Sequence, residues 1–210
     1  MIPGAGGSLA AGIDVGGARK GFHAVALRGG EYFDSFHCLE AAGMASWVRR
    51  VGARAVGVDA PCRWRKGRQM RPAERELARL GIRCFATPGR ETGEAHPFYA
   101  WMRNGLLLYE RLAGGSAGYP LLDRAGAAGA KVCFETFPQA IACTLAGRML
   151  SGRNKRPDRR GLLAAAGVGV DALDSLDLVD AALCAAAAHR YLLGDYRLLG
   201  DPEEGFIVLP

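Results

Sequence analysis

Two short apolar runs, each carrying an aspartate at its end, constrain this chain more than any other feature. They are Ala11-Gly-Ile-Asp14-Val15 and Ala55-Val-Gly-Val-Asp59. Apolar runs without polar alternation read as strands covered on both faces, the pattern of parallel strands inside an α/β fold. An ionised carboxylate at such a place costs several kcal/mol unless a partner compensates it. The two aspartates therefore ask for a central sheet and for something that meets them at its edge.

The segments around these runs supply the rest of a mixed sheet. Gly16-Gly-Ala-Arg19-Lys20-Gly21 is turn chemistry leading into a strand over Phe22 to Leu27, and Gly29-Gly30 turns the chain into a third strand, Glu31 to Leu39. Three strands joined by glycine turns make an antiparallel meander. Met44, Trp47, Val48 and Val51 recur at helical spacing and predict a helix over Ala41 to Val51. Pro72 suits a helix start before Ala73 to Leu80, and Ile82 to Thr87 is compatible with a strand. Further on, the pattern predicts a helix over Pro97 to Leu112, a strand over Lys131 to Thr136, a helix from Pro138, a short helix over Gly161 to Gly167, and a long helix capped by Asp174 or Ser175 that ends near Gly194. Glu204 to Pro210 reads as a short edge strand. The expected architecture is α/β: a mixed sheet, three-strand antiparallel meander plus parallel strands, flanked by helices.

Half of the 210 residues are hydrophobic and 23% are charged, the balance of a packed globular chain. The length suits a single domain over 11–210, with an insertion around 62–130, after a flexible start at 1–10. The six cysteines avoid metal and redox spacings and read as buried apolar residues of a reducing compartment. The first residues lack the basic and apolar stretches of a signal peptide, and no apolar run is long enough for a membrane span, so the expectation is a cytoplasmic protein. A net charge of +6, carried mostly by arginine, permits nucleic acid or a phosphorylated ligand as partner, although a GC-rich genome gives the same bias.

The carboxylates carry the chemistry. Asp14, Asp59 and Glu135, the last in Val132-Cys-Phe-Glu135-Thr-Phe-Pro138, all stand at strand ends, where ligands gather in open α/β sheets. Asp177 and Asp180 lie three apart on the late helix and share a face. Acids converging without a lysine among them repel, and Mg²⁺ or Mn²⁺ is the natural compensation. Each acid has a structural explanation taken alone: the helix dipole favours Asp177 and Asp180, and turns favour Asp14 and Asp59. Their joint occurrence is what points to a metal site. Basic residues lie close by, Arg19 and Lys20 after Asp14, and Arg63, Arg65, Lys66, Arg68 and Arg71 with Trp64 after Asp59. These are candidate contacts to a phosphate backbone, and equally a solvated hairpin tip and loop. Glu74 and Glu76 most simply form surface ion pairs with their arginine neighbours. His23, His37, His96 and His189 are scattered singly and read as structural.

On Gly12-Ile-Asp14-Val-Gly-Gly-Ala-Arg19-Lys-Gly21, Val58-Asp59-Ala-Pro61, Arg71-Pro-Ala-Glu74-Arg-Glu76, Glu135-Thr-Phe-Pro138, Asp177-Leu-Val-Asp180 and Glu204-Gly-Phe-Ile, the chain resembles the RNase H-like superfamily and, more closely, the family catalogued as domain of unknown function 429. That family is described as predicted RNase H-fold nucleases. The resemblance implies two metal ions with Asp14 bridging them, Asp59 and one or both of Asp177 and Asp180 completing the shells, and Glu135 as a further ligand or orienting acid. It also implies Arg71 and Glu74 at the rim. Resolvase-type relatives carry glutamate where this chain has Asp59. Two other functions fit the same residues: a non-catalytic nucleic-acid-binding or scaffold module, and a minimal sugar-kinase or actin-like phosphotransfer domain, whose phosphate loop Asp14-Val-Gly-Gly also resembles.

Overall fold

The computed structural model describes residues 7–67, 69–115, 118–124 and 131–210. The described residues form a seven-stranded sheet built from β1 (Leu9–Val15), β2 (Phe22–Arg28), β3 (Glu31–Cys38), β4 (Ala55–Asp59), β5 (Val132–Glu135), β6 (Arg197–Asp201) and β7 (Gly205–Leu209). Its order is β3-β2-β1-β4-β5-β7-β6. The first three strands are the antiparallel meander, while β1, β4, β5 and β7 run parallel and β6 returns antiparallel at the far edge. The register places Asp14 directly beside Asp59 across β1 and β4, and beside His23 across β1 and β2.

Helices cover both faces. The helices α1 (Ala41–Val51) and α4 (Ala100–Ala113) close one side over Ile13, Phe22, Val56 and Val58, with Met44, Trp47 and Leu108 fully buried. The helices α2 (Pro72–Arg79), α5 (Pro138–Ala146), α6 (Lys155–Ala165) and α7 (Leu176–Leu193) build the other side, and α3 (Arg90–Ala95) lies outside the sheet before a 3-10 turn at Pro97–Tyr99. Helix α7 packs chiefly on β1, and small residues make this possible. A Cβ at Gly12 would run into the backbone of Ala181 and Ala185, and one at Gly57 into the carbonyl of Cys184. The helix therefore rests on the strand backbones themselves, with its own Ala181, Ala182, Ala185 and Ala188 buried.

Several expectations are corrected. The sheet begins at Leu9, inside the start expected to be flexible; residues 1–6 lie outside the described ones. Ile82 to Thr87 is not a strand, because the N–H of Thr87 donates to the Glu74 carboxylate (3.0 Å) in place of a strand neighbour. The short helix expected at Gly161 starts at Lys155, since Pro157 falls in a first turn whose N–H groups have no helical partner anyway. The closing strand is not an edge: Ile207, Val208 and Leu209 are buried between β5 and β6. The edge is β6, in which Gly200 and the turn at Asp201-Pro202 interrupt the strand pattern. No described helix is long and apolar enough to cross a membrane.

A candidate metal centre at the strand ends

Asp14 reaches the carboxyl edge of the sheet on β1, and Ser175 fixes the helix that faces it. The Ser175 hydroxyl accepts the N–H of Leu178 (3.1 Å), setting the start of α7 so that Asp177 lies in its first turn and Asp180 one turn further. Because α7 lies on the backbones of β1 and β4, both aspartates arrive at the edge that Asp14 and Asp59 occupy. The electrostatics record the convergence. Burial, opposed by Lys20 and reinforced by Asp180 and Asp177, raises the Asp14 carboxyl to about 7. Asp59 retains some exposed surface but is closely surrounded; burial, then Asp14 and Asp180, push its carboxyl well above the usual range. Burial also raises Asp180, against the opposing charge of Arg159.

One triad of side chains stands out. Asp14, His23 and Asp177 bring one potential ligand atom each within 4.8 Å of one another. Asp14 Oδ2 and His23 Nδ1 are buried without a hydrogen-bond partner, an arrangement that costs free energy unless something else satisfies them. His23 Nδ1 lies 4.0 Å from Asp177 Oδ2, and its ring sits against His37 with centroids 4.4 Å apart. Burial, opposed by Asp177, lowers the His23 pKa and favours the neutral imidazole that ligates metals. His23 was read as structural from the sequence. The signal that finds it is hairpin register, since a turn joining Val15 to Phe22 makes Asp14 and His23 cross-strand neighbours.

Two cations stand among the acids, contrary to the expectation of a lysine-free cluster. Lys20 Nζ is 2.5 Å from Asp177 Oδ1 and 3.8 Å from Asp14 Oδ2. Desolvation works against its charge, but the hydrogen bond to Asp177 and the charges of Asp14 and Asp180 prevail and raise its pKa. Arg159, buried on α6, pairs with Asp180 Oδ1 and donates to Gln139 Oε1 (2.8 Å). Lys20 thus faces the Asp14–Asp177 pair, and Arg159 holds the Asp180 side.

Glu135 is placed differently from the aspartates. Both its oxygens are engaged, Oε1 by Arg71 Nη2 (2.6 Å), Oε2 by Arg71 Nη1 (2.8 Å) and the N–H of Cys62 (2.9 Å). Arg71 is only 1% exposed. It also donates to Glu74 Oε1 (2.9 Å) and the Glu204 carbonyl (3.2 Å), so the rim position expected for it is corrected to a buried hub. Glu74 is likewise buried, not a surface ion-pair partner, and accepts the Thr87 hydroxyl and N–H. Glu76 accepts the N–H of Gly200 (3.2 Å). These groups tie α2, β5, β6 and the turn before β7 to the segment that follows Asp59.

The basic residues divide. Arg19 is exposed at the hairpin tip. Arg63, Trp64, Arg65 and Lys66 line an open groove of about 1020 Å³ that continues past Arg90 and Arg103. Within it Arg65 is bound to the carbonyls of Thr87 (3.2 Å) and Gly67, while the Glu204 carboxylate accepts the N–H groups of Lys66 and Gly67. Glu91, Glu94 and Glu110 share the groove, so it is charge-mixed. Arg68 lies outside the described residues.

No curated protein and no solved structure matches this chain. A protein-family model described as "Protein of unknown function (DUF429)" matches residues 12–204. With most of the chain and all five candidate acids inside that match, the chain belongs to the DUF429 family.

Proposed function

We infer that the chain is a divalent-metal-dependent nuclease of the RNase H-like kind, with Asp14 at the centre of its metal site. The observation that carries this reading is the pair of buried ligand atoms without a hydrogen bond, Asp14 Oδ2 and His23 Nδ1, beside Asp177. A divalent cation there would satisfy both, and would offset the repulsion among Asp14, Asp177, Asp59 and Asp180. The donor set fits. Two carboxylates and an imidazole suit Mn²⁺ better than Mg²⁺, which prefers oxygen alone.

Asp14, Asp177 and His23 would hold the first ion, with Asp59 next to Asp14 and Asp180 on the far side as ligands toward a second. The chemistry such ions would supply there is activation of water and stabilisation of the leaving oxygen in an in-line phosphodiester attack. The chain's own part is placement. The hairpin of β1 and β2 fixes Asp14 against His23, the Ser175 cap fixes Asp177, and Arg159 orients Asp180 through one oxygen. Lys20, which pairs with Asp177 on the turn after Asp14, would be the group to take a phosphate oxygen, with Arg19 beside it on the same turn. The groove beginning at Arg63 is the path for a nucleic-acid backbone leaving the site.

A specific observation favours a second reading, a nucleic-acid-binding or scaffold module without hydrolysis. Lys20 and Arg159 already compensate Asp177 and Asp180 with no ion required. The two readings separate in one assay, Mn²⁺-dependent cleavage of a mixed set of DNA and RNA substrates by wild type and by Asp14→Asn. The nuclease reading requires cleavage that falls by orders of magnitude in the variant. Binding without any cleavage by the wild type would leave the module.

A further inference from the structure

A cleft of about 570 Å³ opens beside Asp59 and Asp180, within the range of sites that hold small organic groups. Its lining is of two kinds. Phe85, Phe137, Met149 and Leu150 supply apolar surface, and Arg83 and Lys155 supply exposed positive charge, with Arg159 at the inner end. Phe85 is 69% and Met149 51% exposed, so both offer apolar surface to the cleft. Phe85 also meets Phe98 edge-on at 5.7 Å, and Phe98 meets Tyr99 at 5.1 Å. A smaller hollow of about 60 Å³ shares Asp59, Phe85 and Phe137 and adds Trp101. Phe85, Phe137 and Trp101 thus share a hollow with Asp59.

We propose that this cleft seats an unpaired nucleobase on Phe85, with the flanking phosphates on Arg83 and Lys155, so that the substrate is single-stranded nucleic acid. The proposal rests on the nuclease reading of the neighbouring aspartates and names its substrate class. Bases inside a duplex are stacked on one another and cannot reach a ring at the side of a cleft. Single strands offer their faces freely, and proteins that take them combine aromatic platforms with cations along the backbone. Charge favours this occupant over an apolar peptide. A strand of phosphates is drawn to Arg83 and Lys155, whereas a greasy peptide would leave both cations desolvated beside it. The acids at the inner end then face the backbone next to the seated base.

The test is fluorescence anisotropy of the full chain with end-labelled single-stranded DNA, single-stranded RNA and duplex DNA of one sequence, in EDTA so that nothing is cut. Wild type, Phe85→Ala and Phe85→Trp are compared, with thermal melts establishing that the exposed position leaves the fold intact. At least one single strand should bind roughly tenfold more tightly than the duplex, and the pair of single strands tells DNA from RNA. Phe85→Ala should weaken that affinity roughly tenfold, the scale of one base–aromatic stack, with Phe85→Trp retaining it. Equal affinity for duplex and single strands, no binding of either single strand, or an unchanged affinity in Phe85→Ala would overturn the proposal. Cleavage is not read here. A chain that binds single strands through Phe85 and cuts nothing loses the nuclease reading alone, and one that cuts duplex through Asp14 without this preference loses the single-strand proposal alone.

Discussion

Asp14 is a carboxylate held in a buried, acid-rich place, and protons report on it. Its carboxyl, raised mainly by burial from 3.8 to about 7, holds a proton in the native chain at pH values where the unfolded chain has lost it. The unfolded state then binds fewer protons, so stability falls as pH rises. The contribution is fully present below about pH 4 and is lost by the time pH passes about 7. Urea unfolding in EDTA should therefore show wild type losing stability between pH 5 and pH 8, and Asp14→Asn flattening that slope. An equal slope in the two proteins would place the titration elsewhere. At this scale the sequence made Asp14, Asp59, Asp177 and Asp180 legible, because a charge in or after an apolar run is visible in one dimension. His23 was not, because its partnership depends on register. Nor was the commitment of Arg71, whose acceptors, the carboxylates of Glu74 and Glu135 and the backbone carbonyl of Glu204, come from three separate segments.

Among the elements, α7 and the two strands under it decide the site. The strands β1 and β4 and the helix α1 were readable directly from apolar runs and helical spacing. The seating of α7 was not, since glycine in a strand says only that something comes close. Gly12→Ala tests that seating. Its Cβ would meet the backbone of α7, which cannot rotate away as a side chain could. The substitution should cost at least the roughly 1–3 kcal/mol of ordinary overpacking, read by denaturant unfolding, and should weaken Mn²⁺ binding by shifting Asp177. Unchanged stability and affinity would mean that α7 does not rest on β1 as described. The segment Ile82 to Thr87 departs from its expected strand because Thr87 bonds to a side chain, the Glu74 carboxylate, which local pattern does not encode, and β6, which no apolar run announces, takes its place only by pairing with β7.

At the scale of the molecule, two polar assemblies meet at one edge of the sheet and do different work. The Arg71 hub joins α2, β5 and the segment after Asp59, with every acid it holds buried or nearly so. Arg71→Met keeps the volume but strands Glu74 and Glu135, and should destabilise the fold by about 3–5 kcal/mol while leaving the metal affinity of any folded fraction within a few-fold. A loss of metal binding in well-folded Arg71→Met would instead make the hub part of the site. The aspartate assembly has the opposite character: its buried oxygen and nitrogen atoms are incompletely satisfied, and its compensation comes from Lys20 and Arg159, which reach in from a turn and a neighbouring helix. The mixed α/β order was foreseeable from the alternation of apolar runs and helices, but this division of acids into a tied group and an open one required the structure. The most direct measurement is calorimetric titration of the chain with Mn²⁺ at pH 8, for wild type and Asp14→Asn. The account predicts saturable binding by wild type that Asp14→Asn weakens at least tenfold; equal affinity in the two proteins, or no binding by wild type, would contradict it.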